Sequence, residues 1–257
     1  MPVLFVVNFK EGVIARTWLN DLPLHKEFIH GPDSMTGGAN HLLVPGNNTL
    51  DIEVLRAPLD KGSVVDMMLY TVLNEHSVPP ELDVHCRVDF PALWKEAPEN
   101  ERILPYHIQA TFSVPEEVQE PVYWGAPSIS FGCEGTPDLW QAVQELHHAI
   151  ETHDADRFIQ LTSLKDEEYE RAYPGIPSAQ ASRIRESAKK FFSLHPRVKP
   201  LDRKTVHFEP RAGGRVAYVS GADGEPVIHA IAEREPSLHL RANLLFTQYA
   251  GHWRVFG

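Results

Sequence analysis

The chain has 257 residues, 42% hydrophobic and 23% charged, with a mean hydropathy of −0.28, which supports a folded core and excludes wholesale disorder. Its length suits one large or two ordinary domains. Net charge is −11, and it is unevenly spread: residues 1–135 hold 8 Lys+Arg and 19 Asp+Glu, whereas residues 136–257 hold 16 of each. A negative excess confined to the first half excludes nonspecific nucleic-acid binding and suits a solubilising surface or a basic protein partner.

Residues 3–8 read as a buried strand, and Glu11 and Gly12 as a turn. Residues 13–19 alternate again, and Asn20, Asp21, Leu22 and Pro23 are turn chemistry. Residues 25–38 are polar, are broken by Gly31, Pro32, Gly37 and Gly38, and read as irregular. Residues 40–44 form a short strand, 45–48 a turn, and 49–56 a strong strand with Leu50, Ile52 and Val54 on one face. Residues 64–73 fit strand or helix by period, and their β-branched and aromatic content favours strand. Residues 84–90 and 106–114 alternate cleanly, with a polar, acidic insert at 91–102 between them. Residues 115–135, rich in Pro, Gly and Glu, read as a linker. The expected first domain, residues 1–135, is thus an antiparallel β domain of six to eight strands followed by its linker.

At Thr136 the pattern changes. Thr136 suits an N-cap with Pro137 at the first helical position, and Leu139, Val143, Leu146 and Ile150 follow at helical spacing, widened by Trp140 and Ala149. Asp154 caps a second helix with Phe158, Leu161 and Leu164 inward, and Thr162 and Ser163 are candidates to break it before Tyr173. Residues 174–177 end that run. Residues 178–194 form a third helix with Ile184, Ala188 and Phe191 or Phe192 inward. Strands follow at 215–220 and 227–233, joined by a turn at 221–224. Residues 238–247 read as one half-buried strand. Leu238, Leu240, Ala242, Leu244 and Phe246 form its apolar face; His239, Arg241, Asn243 and Thr247 lie opposite, with Leu245 the exception. Gly251 and His252 turn the chain into a last strand at 253–256.

Two resemblances arise from these stretches. The segment TWLNDLPL, followed by HLLVPGNNTLDIEVL, resembles jelly-roll and galactose-binding-like β-sandwiches in its Asn-containing hairpin and its proline-glycine-asparagine turn. It implies an N-terminal antiparallel β-sandwich and assigns no sugar-binding residue. The helix LWQAVQELHHAIETHDADRFIQLTS and the ending LLFTQYAGHWRVFG resemble the NTF2-like, or SnoaL-like, α+β cone fold. That likeness covers about residues 137–257 and implies three helices packed on a curved antiparallel sheet of four strands. Members of that fold include isomerases, dehydratases, cyclases and noncatalytic binding modules, so the resemblance does not decide function. The expected class is α+β, with a second domain at residues 136–257.

Few residues form a chemical pattern. His147 and Glu151 share a helix face, as do some metal ligands, but the HExxH order is missing and no third ligand is indicated, so His147, His148 and His153 read as histidines beside an apolar face. His229 and Glu233 share one strand face, and His239 and Arg241 another; lining a pocket, they would bind an anionic or carbonyl ligand and move a proton. On an open face they would be ordinary cross-strand pairs. The placement of Leu238, Leu240 and Leu244 turns His239 and Arg241 away from the helices. Asp51 and Glu53, or Asn20 and Asp21, lack Ca²⁺-loop spacing, and no phosphate loop or GxSxG is present. Cys86 and Cys133 lack metal-type spacing or a neighbour that would lower a thiol pKa. No cofactor or metal is expected. The apolar run at residues 1–9 is too short for a signal segment, no run reaches transmembrane length, and a reducing cytoplasmic location is the default expectation.

These observations favour a two-domain, noncatalytic protein-binding chain, in one version an immunity or inhibitor-type protein that holds a basic partner such as a secreted toxin. The contacts would be Asp83, Asp89, Glu96, Glu99, Glu101, Glu116, Glu117 and Glu120, expected on or near loops. The alternatives are an enzyme using a cone pocket around His229, Glu233, His239 and Arg241, and a structural subunit that homodimerises through its sheet.

Overall fold

A computed structural model describes the chain except residues 1, 25–28, 60–61, 63, 75–76, 78, 115, 117 and 174–178; for residues 179–182, 184 and 223 it describes the backbone alone. The protein is α+β, with four helices and several antiparallel sheets, and it divides into two compact units, Met1–Pro121 and Val122–Gly257. None of the described helices is long and apolar enough to cross a membrane.

The first unit contains β1 (Val3–Phe9), β2 (Ile14–Leu19), β3 (Leu22–Pro23), β4 (Ile29–His30), β5 (Asp33–Gly38), β6 (Gly46–Arg56), β7 (Val65–Asn74), β8 (Glu81–Phe90), the short helix α1 (Ala92–Glu96) and β9 (Tyr106–Val114). One sheet has the order β5-β1-β7-β8; the other has the order β3-β2-β6-β9, with β4 also paired to β2. Each sheet buries alternate residues: Val3, Phe5, Val7 and Phe9 from β1, and Leu50, Ile52 and Val54 from β6. The asparagines behind the β-sandwich resemblance act as backbone clamps. Asn48 Oδ1 accepts from the Val44 N–H at 2.8 Å and from Asn20 Nδ2 at 2.7 Å, and Asn20 Oδ1 accepts from the Thr49 N–H at 3.0 Å.

Two stretches differ from their sequence reading. Residues 33–38 form a strand where an irregular segment was expected. The Phe5 ring lies 2.7 Å from where a Cβ on Gly37 would stand, so glycine there marks a close approach rather than a loop. Conversely, Asn40–Leu42 is a 3-10 turn, not a strand, and the buried Asn40 side chain accepts from the Val3 N–H at 2.7 Å.

The second unit begins with a strap, residues 122–135. It then has α2 (Pro137–Glu151), α3 (Ala155–Ala172), α4 (Ala179–Ser193), β10 (Pro196–Val198), β11 (His207–Arg211), β12 (Val216–Ser220), β13 (Ile228–Ala232), β14 (His239–Ala242), β15 (Leu244–Tyr249) and β16 (His252–Val255). Thr136 caps α2 by accepting from the Leu139 N–H, with Pro137 following, and Asp154 caps α3 by accepting from the Arg157 N–H at 2.9 Å. α3 runs unbroken past Thr162, whose hydroxyl donates to the Phe158 carbonyl at 3.0 Å and so finds a partner without breaking the helix. The Ile184 side chain and residues 174–177 lie outside what is described.

The expected single four-stranded sheet is two sheets, β10-β13-β14 and β11-β12-β15-β16. The strand expected over residues 238–247 is interrupted at Asn243, so that β14 pairs with β13 in one sheet and β15 with β12 and β16 in the other. Leu139, Val143, Leu146 and Ile150 of α2 and Phe192 of α4 pack with Ala217, Val219, Ala230, Leu244, Phe246 and Trp253 in one core. β15 is buried on both faces: Leu245 and Thr247 are 8% and 0% exposed, which accounts for the apparent exception in its alternation. Leu238, expected on the apolar face, is 37% exposed and precedes β14.

The strap is packed structure, although its composition reads as a linker. Tyr123 is fully buried, its ring stacked 5.4 Å from Phe256, and Phe131 meets Trp253 edge-on at 6.1 Å. The Ile129 N–H donates to the Gly214 carbonyl and the Phe208 N–H to the Cys133 carbonyl, both at 3.0 Å. Gly135, at φ +64°, ends the strap where the Phe208 ring lies 2.8 Å from an ideal Cβ position, so conformation and space both require glycine.

Two substitutions check this core by thermal and urea denaturation followed by circular dichroism. Leu244→Asp places a carboxylate at a site 5% exposed among Leu139, Phe246 and Trp253, and is expected to destabilise by several kcal/mol, on the order of an unpaired buried charge. Tyr123→Ala is expected to cost about 3–5 kcal/mol, the range for a buried aromatic truncated to Ala. A midpoint unchanged by Tyr123→Ala would mean that the strap is a passive link.

Candidate functional site

The acidic candidates fall in the first unit. The insert after β8 is an ordered loop: α1 is followed by a 3-10 turn at Glu99–Glu101, and Arg102 folds back to donate to the Ala97 carbonyl at 2.8 Å and the Lys95 carbonyl at 2.6 Å. This closure presents Glu96, Glu99 and Glu101 to solvent, and none of the three has an ion pair among the described residues. Glu116 and Glu120 are exposed, whereas Glu117 lies outside the described residues. Asp83 and Asp89, expected on or near loops, are strand residues of β8. Asp83 is exposed and lies 4.0 Å from His85 Nδ1; Asp89 is partly buried, and its Oδ1 has no hydrogen-bond partner among the described residues.

The β5-β1-β7-β8 sheet also has an apolar outer face that the sequence reading did not single out. Leu4, Tyr70 and Val84 lie opposite one another across β1, β7 and β8; Val6 faces Met68, and Val72 faces Leu82. Leu82 and Val84 are 37% and 46% exposed, and the others are half-buried. The next row is charged, with Asp66 opposite Asn8 and Asp89, and Arg87 pairing with Asp66 at 3.5 Å. Both sides of β1 and β7 are apolar in sequence, which was the available signal; such runs ordinarily mark strands covered on both faces.

The alternative cluster in the second unit assembles on an open face. His229 faces Arg241, and Ile231 faces His239, across β13 and β14. His239, Arg241 and Glu233 are exposed and His229 is half-buried, so the cluster lies at the surface. Arg241 pairs with Glu225 at 3.3 Å. Burial, together with the neighbouring cations of Lys199 and Arg241, pushes the His229 imidazole below its ordinary pKa.

A cleft of about 360 Å³ lies between α2, α3 and the β15–β16 hairpin, lined among others by Asp138, Glu145, Arg157, His252 and Trp253. Arg157 pairs with Glu145 at 2.7 Å. The hydrogen bond from the Thr136 hydroxyl holds the Asp138 carboxyl below the usual range. Sequence reasoning did not weigh Asp138 or His252, because α2 and the hairpin meet only in the fold.

His147 is nearly buried, with Nε2 2.8 Å from the Lys199 carbonyl, and His153 Nε2 lies 3.1 Å from the Pro196 carbonyl, so both are held by backbone. No group of three or more His, Cys, Asp or Glu suited to a metal occurs among the described residues. Cys86 is a buried free thiol whose pKa is raised by that burial, and Cys133 is free and exposed.

No family model matches the chain, and no curated protein matches it. Among solved structures it is similar to an "Ntf2 like protein involved in plasmid conjugation", at 10% identity, over 84% of this chain and 71% of that one, with a TM-score of 0.25. An overlap at that score places the chain in no family.

Proposed function

We propose that the chain is a noncatalytic, cytoplasmic protein-binding protein of the immunity or inhibitor type, which holds a basic partner, such as a secreted toxin, through its first unit. In this reading the first unit is an acidic β-sandwich and the second an NTF2-like domain. The observation that carries it is the charge of residues 1–121, which hold 8 Lys+Arg against 18 Asp+Glu, with Glu96, Glu99 and Glu101 displayed on an ordered loop. Carboxylates in that setting steer a cationic surface toward encounter without costing much desolvation. The enzyme reading draws less support. His229, His239 and Arg241 lie on an open sheet face, and Asp138 is held ionised, a state that suits binding a cation more than donating a proton.

The test begins with affinity capture from the native cell and mass spectrometry, followed by association kinetics with the captured protein. The on-rate is expected to fall by about tenfold or more as the Debye length shrinks from ~10 Å at 0.1 M salt to ~3 Å at 1 M. Glu96→Lys, Glu99→Lys and Glu101→Lys together are expected to slow association at low salt while leaving the melting temperature near wild type. A triple variant that binds as fast as wild type removes this loop from the interface. Salt-independent association with the captured protein overturns the charge-steered reading.

A further inference from the structure

We infer that the outer face of the β10-β13-β14 sheet binds a short, extended, acidic protein segment. The face belongs to the second unit, and its occupant is independent of the partner proposed for the first.

Strand register builds this face. Val198, Ala230 and Leu240 turn to the core shared with α2, so the residues that alternate with them turn outward. They fall into two rows. Arg197 lies opposite Ile231, which lies opposite His239. Lys199 lies beside His229, its N–H donating to the His229 carbonyl at 2.9 Å, and His229 lies opposite Arg241. Five of these six side chains are cationic or become so on protonation. Arg241 pairs with Glu225 at 3.3 Å, whereas the side chains of Arg197, Lys199, His229 and His239 have neither an ion pair nor a hydrogen bond among the described residues. Glu233 is exposed and lies one position past β13, off both rows.

Like charges on neighbouring strands repel, so the face is unfavourable by itself. Burial and the cations of Lys199, Arg241 and His239 hold His229 toward its neutral form, with Glu225 acting the other way. An anion over the two rows removes that repulsion. The spacing selects which anion. Arg197 and Lys199 are two positions apart on an edge strand, ~6.8 Å along it, the repeat at which an extended segment presents alternate side chains. Carboxylates at i and i+2 therefore meet both cations. Ile231, 38% exposed in the middle of its row, offers an apolar contact to the methylenes of a Glu side chain. A nucleic acid would run beyond these two rows and meet a chain of net charge −11. A second copy would bring Glu99 and Glu101, but these stand in a 3-10 turn, where residues two apart point in different directions. The face is far smaller than the ~800 Å² per partner of a stable globular interface, which suits a short segment.

The test uses the full chain and a synthetic peptide alternating Glu with Ser, with a Gln/Ser peptide as control. The Glu/Ser peptide is expected to bind and to shift the His229 and His239 imidazole resonances, and the Gln/Ser peptide to leave them in place. A carboxylate over His229 and His239 favours their protonated forms, so binding takes up protons. The complex is therefore expected to tighten about threefold or more as pH falls from about 7.5 to about 6, through the ordinary histidine range near ~6.5. Arg197→Gln together with Lys199→Gln is expected to weaken the Glu/Ser peptide by about tenfold or more. The melting temperature stays near wild type, because both side chains are exposed and unpaired among the described residues. Equal binding of the peptide to wild type and double variant overturns the inference. So do unmoved imidazole resonances, a readout that needs no substitution. A single-stranded DNA oligonucleotide or inorganic phosphate that binds more tightly than the peptide makes phosphate the occupant and also overturns it. Dimerisation that the double variant abolishes makes a second copy the occupant, with the same consequence. None of these outcomes bears on the salt dependence of the partner captured by the first unit.

Discussion

Asn243 stands where the C-terminal strand leaves one sheet and enters the other, and the second unit is arranged around that corner. Its Oδ1 accepts from the Val227 N–H at 3.2 Å, and its Nδ2 donates to the Tyr218 hydroxyl at 2.7 Å and to the Gly224 carbonyl at 3.3 Å. A strand that changes sheets leaves backbone groups without ladder partners, and such groups are costly when withdrawn from water. One side chain here ties the segment before β13 to the neighbouring β12 at the point where its own strand breaks. The bend lets residues from both sheets, Ala230 and Leu244 among them, reach the same core beneath α2.

The opposite face of the larger sheet explains why the strap is ordered. β12 is buried along its whole length, and β15 from Leu244 to Thr247, so apolar side chains point both ways. Tyr123 stacked on Phe256, with Arg215 over the Trp124 ring at 5.0 Å, supplies cover beyond the helices. Glu168, buried on α3, accepts from the Val122 N–H at 3.0 Å and pairs with Arg171, which ties the beginning of the strap to a helix. A buried carboxylate held by a cation and a backbone donor is satisfied as a structural group and needs no catalytic explanation.

The charge of the first unit lies on strands as well as loops, and it acts at a distance, with a reach set by the ionic atmosphere. The second unit, with 16 Lys+Arg and 17 Asp+Glu, carries almost no net field of its own.

Local physical chemistry accounts for what was legible in the sequence. The caps at Thr136 and Asp154, the helical stripe of α2, the alternation of β6 and β9 and the separation of charge between halves depend on near neighbours or on composition alone. Leu244 and Phe246 were legible as core residues from the same kind of alternation. Tertiary structure decided the rest. Gly37 belongs to a strand because Phe5, 32 positions earlier, occupies the space a side chain would need. The strap 122–135 looks like a linker by composition and becomes structure because Phe256 and Trp253 arrive from the far end of the chain. The break at Asn243 depends on Tyr218 and Gly224, and the apolar row Leu4–Tyr70–Val84 on the pairing of three separate strands. Period and propensity report which residues want burial or extension; only the long-range pairing determines which of them meet and which remain at the surface.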